Sequence, residues 1–226
     1  KRESTLRALS LPPEVTLSFL PFGIHTAELS ERARDQGHEL FLHLPMEPLS
    51  RQHNPGPDAL LVRDDMITLS EKIDRNLSRF DNYAAINSHM GSRFSVWEPG
   101  VRRLMEILHN RGIGFIDSYT THRSVAYTIA DELGVPAFRR DVFLDNDPQP
   151  EKILESIAKL TEIAGKRGYA LAIAHPHPTT VQVLNAWITS PGFALRHQLV
   201  PASQLLGLDI ALPDNTASGL SSAGKN

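Results

Sequence analysis

The sequence predicts an α/β fold: a distorted (β/α) barrel of about seven mostly parallel strands. Short apolar runs alternate with helical stripes along almost the whole chain. Ala170–Ala174 is wholly apolar, the pattern of a strand covered on both faces. Four runs end on a polar group: ELFLH on His43, AAINSH on His89, GFID on Asp117 and ALAIAH on His175. In β/α folds the loops beyond the carboxyl ends of the strands build the site. An open doubly wound sheet is the alternative architecture.

Val15–Leu20 is the first strand, stopped by Pro21, and Thr26–Gln36 is a helix ended by Gly37. The next strand, Glu39–Leu44, leads into a long irregular loop from Pro45 to about Met66, a length that often lines a site. Thr68-Leu-Ser-Glu71 reads as a capping box before a stripe of Leu69, Ile73, Leu77 and Phe80. Ala84–Asn87 is a strand. Val101, Leu104, Met105 and Leu108 form a helix closed by Gly112. Gly114–Asp117 is a strand and Ser124–Leu133 a helix. Phe138–Leu144 follows as a strand, and Ile153, Ile157, Leu160 and Ala164 form a helix closed by Gly168. After the Ala170–Ala174 strand, Thr179–Gln182 caps a helix, and Ala194–Val200 is the last strand. Residues 1–212 read as one domain, and 213–226, small and polar, as a disordered tail.

The 226 residues are 41% hydrophobic with a formal net charge of -3, enough apolar material for one sizeable core. No basic stripe interleaved with aromatics supports nucleic-acid binding. No apolar stretch approaches the ~20 residues that span a bilayer. The absence of cysteine excludes disulfides, thiol catalysis and cysteine zinc sites. KRESTLRALSLPPE has no apolar segment of the signal-peptide kind. Walker, dinucleotide-binding, zincin and serine-hydrolase motifs are absent from the sequence.

His89, in Asn87-Ser-His-Met-Gly-Ser92, can reach into a cleft from its strand end; the bland alternative is a bond to a neighbouring loop. Pro176 turns the chain after His175, and His177 lies two residues on, so both imidazoles leave the strand on one side. His43 stands four residues before Glu47, across Pro45, and a metal could take both. Asp117 either orients an imidazole or caps the following turn. Asp141 and Asp145 flank VFL: one faces the site, or the alternative is a structural ion pair with Arg139 or Arg140.

GHELFLHLPMEP, INSHMGSRF, IGFIDSYT, RRDVFLD and AIAHPHPTT, in this order, resemble the divergent polysaccharide deacetylase family, remote relatives of NodB-type carbohydrate esterases. The likeness runs from about Leu11 to Leu206. It implies a barrel of this type, a divalent metal (zinc above all), an acetylated envelope glycan or peptidoglycan-type substrate, and the periplasm. The implied ligands are His89 and His175. The implied catalytic groups are His43 and His177 as proton donors and Asp117 as the group orienting a ligand histidine. Glu47, Asn87, Arg93 and Ser118 are the expected substrate contacts. The family opens with a strand ending in Asp-Asp. No such pair precedes Val15–Leu20, so that first strand is expected to be missing here, and a barrel that binds glycan or protein without turnover is the competing expectation.

Overall fold

The computed structural model describes residues 2–207; the 213–226 tail lies outside them. Five strands form one parallel sheet in chain order: β1 (Leu17–Phe19), β2 (Leu40–Met46), β3 (Ala85–Met90), β4 (Gly114–Asp117) and β5 (Ala137–Arg139). Two more, β6 (Val142–Phe143) and β7 (Ala172–Ile173), pair in parallel as a separate sheet. Helices α1 (Arg2–Ala8), α2 (Thr26–Asp35), α3 (Met66–Leu77), α4 (Glu98–Arg111), α5 (Ala126–Glu132), α6 (Pro150–Arg167), α7 (Pro178–Ile188) and α8 (Pro191–Ala194) fill the intervals.

The α/β class and the parallel order agree with the sequence, but a closed barrel is not formed among the described residues. The ladder breaks between β5 and β6 and between β7 and β1. The run Phe138–Leu144 is split in two because Arg140 and Asp141 bond in different directions. Arg140 N–H donates to Asp117 O, whereas Asp141 N–H donates to Leu171 O. The expected strand at Ala194–Val200 is absent. Ser190 Oγ accepts from Phe193 N–H and opens α8 there instead, a side-chain cap that competes with extended backbone.

Burial follows the covering of both sheet faces. β2 is buried at every position except His43, which is partly exposed. One core packs the helices over Leu42, Leu44, Ile86 and Phe115. The opposite face holds Phe41, Ala85, Ile116 and Leu171. Gly112 ends α4 at φ 64°, the left-handed conformation that glycine adopts without strain. The cap of α3 is Asp65 rather than the Thr68 box: its carboxylate accepts from Ile67 and Thr68 N–H. The helix therefore starts three residues upstream of the Thr68 box, where the Asp65 carboxylate satisfies its first free donors.

Candidate active-site rim

Strand register stacks the site in layers. Side chains alternate faces along a strand, and partners in register share a face. Phe41 pairs with Ala85 and Ile116 with Phe138; Ala85 pairs with Gly114, two residues before Ile116, so all four share one face and pave its floor. Two residues further on, towards the carboxyl ends, the same face carries His43, Asn87, Ser118 and Arg140. A third step brings Pro45 and His89, themselves register partners. Polar residues thus share the inner face and lie above an apolar floor.

His43 and His89 are not placed by loops. Both sit inside strands, because β2 and β3 continue to Met46 and Met90. Pro45 is tolerated in β2 since β1 has already ended at Phe19, which pairs with Leu42. Its missing N–H falls on the edge away from β3, where the bridge to Leu60 uses only the Pro45 carbonyl and Glu47 N–H. After His89 the strand turns sharply through Met90 (φ 58°) and Gly91 (φ 82°). A Cβ at Gly91 would meet Met46 Cβ at 3.1 Å, so close approach and backbone conformation both call for glycine.

A chain of polar contacts fixes the tautomers. Asn87 Oδ1 accepts from Ser18 Oγ and, at 3.0 Å, from His43 Nδ1. That leaves His43 Nε2 with its lone pair, 3.0 Å from His89 Nδ1. Burial, with the neighbouring His89, pushes the His43 pKa down to about 3. Burial also lowers His89, and His175 contributes to the depression of both. His43 is therefore neutral at ordinary pH, and the three imidazoles are close enough to sense one another's charge.

The second half of the rim is more open. Asp145 Oδ2 accepts from His175 N–H at 2.8 Å and from Thr180 Oγ1 at 2.9 Å. Its Oδ1 is buried without a hydrogen bond among the described residues and faces His175 Nδ1 at 3.4 Å. Burial alone would raise the Asp145 pKa; His175 and Thr180 outweigh it and hold the carboxyl below its ordinary value. His177 is the residue before α7, and its ring centroid lies 5.5 Å from that of His175. Donor atoms of Asp145, His175 and His177 all fall within 4.8 Å of one another, a spacing compatible with a cation.

The histidines are thus grouped differently from the expectation. His89 contacts His43, whereas His175 contacts His177 and Asp145. Asp117 does not orient an imidazole: it shares the parity of Phe115 and points to the helix side. There it accepts from Tyr119 N–H and Ser124 Oγ, each at 2.8 Å, and burial raises its pKa despite those bonds. Ser118 is 1% exposed, with its hydroxyl spent on Ser88 O at 2.8 Å, which leaves it no access to a sugar. Glu47 ties the long loop, accepting from Val62 N–H at 2.6 Å and pairing with Arg93 at 3.1 Å. A shared metal with His43 would have to break those bonds. Asn87 is 8% exposed and acts on His43. Sequence reasoning did not single out Ser18, Thr180 or Arg140. The alternation of Phe138 and Arg140 with the floor residues is the signal that could have found the last.

Residues 1–206 match the sequence model of a family described as divergent polysaccharide deacetylase. The chain belongs to this family. It is 32% identical over 220 residues to the uncharacterized protein YibQ of Escherichia coli, covering 93% of this chain and 66% of that protein. An uncharacterized protein of Haemophilus influenzae is 30% identical over 183 residues, covering 78% of this chain and 63% of that one. The chain therefore spans just under two thirds of the length of these curated relatives. The fold is similar to the crystal structure of an uncharacterized protein from Agrobacterium tumefaciens, with a TM-score of 0.87 and 28% identity. That likeness covers 91% of this chain and 84% of the other.

Proposed function

We propose that this rim is the site of a metal-dependent hydrolase that removes acetyl groups from an N- or O-acetylated glycan of the cell envelope, in the periplasm. Family membership supports the deacetylase class. The observation that carries the metal reading is the His43–His89 contact. Their facing nitrogens are 3.0 Å apart. Two ligands of one tetrahedral zinc, at its usual bond lengths, stand about 3.3 Å apart. His43 donates its other nitrogen to Asn87, as metal-bound imidazoles usually do to an oxygen acceptor. A neutral, desolvated imidazole also surrenders no proton to the metal.

When bound there, a divalent ion would polarise the acetyl carbonyl and acidify a water. His175 moves the protons. Asp145 faces its Nδ1, so Nε2 is the nitrogen left to exchange a proton with water and with the leaving amine or alkoxide. Glu47 and Asp117 are held by other partners, so among the described residues the proton work falls to imidazole. Asn87 and Ser18 keep the His43 tautomer in place. One observation favours a second ligand set: the partnerless Asp145 Oδ1 beside His175 and His177.

Zinc content and acetate release from chitooligosaccharide test the proposal. Wild-type protein should hold one zinc and lose activity in EDTA. His43→Ala and His89→Ala should lose the zinc, and His177→Ala should keep it. Zinc retained in the first two and lost in the third would move the metal to the second set. Glycan binding without acetate release would leave a non-catalytic barrel.

A further inference from the structure

Arg140 is the charged residue of the inner layer that the proposed mechanism does not use. It follows Phe138 by two positions, so its side chain leaves β5 on the face that carries His43 and Asn87. Its Nε donates to Ser118 O at 2.6 Å and its Nη2 to Tyr119 O at 2.8 Å. These two bonds occupy one edge of the guanidinium plane. The other edge, between Nη1 and Nη2, has no partner among the described residues. The plane lies 5.2 Å from the Phe143 ring centroid, and Phe143 lies 5.3 Å from the His175 ring. Phe143 thus lies between Arg140 and the proposed proton-transferring imidazole, in contact with both.

The nearby carboxylates are committed elsewhere. Asp117 faces the helices and holds Tyr119 N–H and Ser124 Oγ. Asp141 pairs with Arg167 at 2.7 Å and accepts from Leu171 N–H. Arg140 has no ion pair within contact distance among the described residues, and burial pushes its pKa down although the charges of Asp117 and Asp141 act against it. A half-buried guanidinium with no carboxylate in direct contact is better satisfied when a ligand supplies one. A free end with two near-parallel N–H donors matches the two oxygens of a carboxylate. A phosphate dianion would call for a second cation in reach. Arg139 is exposed, shares the opposite parity, and lies over the Tyr119 ring at 4.5 Å.

We infer that Arg140 recognises a carboxylate on the substrate, so that the glycan taken by this rim is an acidic one. This inference rests on the glycan reading above. It names the class of sugar: one carrying a lactyl ether or a uronate near the acetylated position. Phe143 lies against the guanidinium and gives a ring face on which a sugar can pack.

Calorimetric titration of the full chain tests it, with two acidic acetylated oligosaccharides as probes. One alternates N-acetylglucosamine and N-acetylmuramic acid; the other carries uronate. Each is compared with its carboxyl-reduced alcohol. At least one acidic probe should bind tenfold or more tightly than its reduced form. Arg140→Gln should bring the pair within twofold, and Arg139→Gln should keep the tenfold preference. Arg140→Lys keeps the charge without the fork, and it should lose at least threefold of the preference. It serves alone if Arg140→Gln does not melt cooperatively. Equal binding of acidic and reduced probes by wild type overturns the inference. A preference that survives in Arg140→Gln, or tighter binding of a phosphorylated sugar, does the same. Acetate release separates the two readings. Equal kcat/KM on acidic and neutral substrates removes the carboxylate role and leaves the hydrolase. A carboxylate preference without acetate release removes the hydrolase and leaves Arg140.

Discussion

The two halves of the rim use the same residue type in opposite surroundings. On the five-stranded sheet, His43 and His89 are register-fixed within strands, and burial depresses both. On the two-stranded sheet, His175 and His177 are exposed and lie just past a strand and just before α7. The first pair is held through Asn87 and Ser18, and the second through Asp145 and Thr180. Desolvation favours the neutral imidazole, which is the metal-binding form. Exposure beside a carboxylate favours an imidazole that exchanges protons. Under the proposed function, position relative to the sheet divides ligand from acid–base work.

The largest test of that division is Asp145→Asn. It should cut kcat by about 10²–10⁴-fold, the range for losing an oriented acid–base group, with zinc content unchanged. Zinc lost in this variant would merge the two halves into one metal site. Next, Asn87→Ala should weaken zinc about 10–100-fold in chelator competition, the usual cost of removing the partner of a ligand histidine. Unchanged affinity would detach Asn87 from the buried half.

Acid stability of the metal-free protein comes third. The folded His43 pKa, about 3, lies below its unfolded value of 6.5. The unfolded chain therefore takes up a proton first as pH falls. His43's contribution is complete above the unfolded value and declines between it and the folded one. By pH 5 the loss from this group is roughly 2 kcal/mol, read from urea unfolding at pH 7 and pH 5. His43→Gln should lack that component; an identical pH slope in the variant would contradict the buried neutral state. The smallest effect is Arg93→Gln, which should cost under about 1 kcal/mol, because the Arg93 side chain is 40% exposed in its pair with Glu47. A large loss of activity there would give the long loop a role in the rim.

Much of the fold was legible because burial on both faces writes apolar runs, as in Leu40–Leu42, Ala85–Ile86 and Gly114–Ile116. Helix ends were legible at Gly112 and Gly168, where a left-handed residue was needed. Residues 194–200 misled because Phe193, Ala194 and Leu195 have strand-like apolarity, while the deciding cap is one hydroxyl on Ser190. At the site, the histidine types were visible but not their partners. Asp117 ends a strand and Asp145 follows one, and nothing local says which one faces an imidazole.

Sequence alone determined the α/β class, the parallel order and a polar rim at the strand ends, since these depend on periodicity and on what each run must bury. Tertiary structure decided the pairing of His43 with His89, the commitment of Asp145 to His175, and the open edge of Arg140. Those contacts join residues tens of positions apart, and their geometry is set by strand register and side-chain parity. A shift of one residue in register would send each of these groups to the other face.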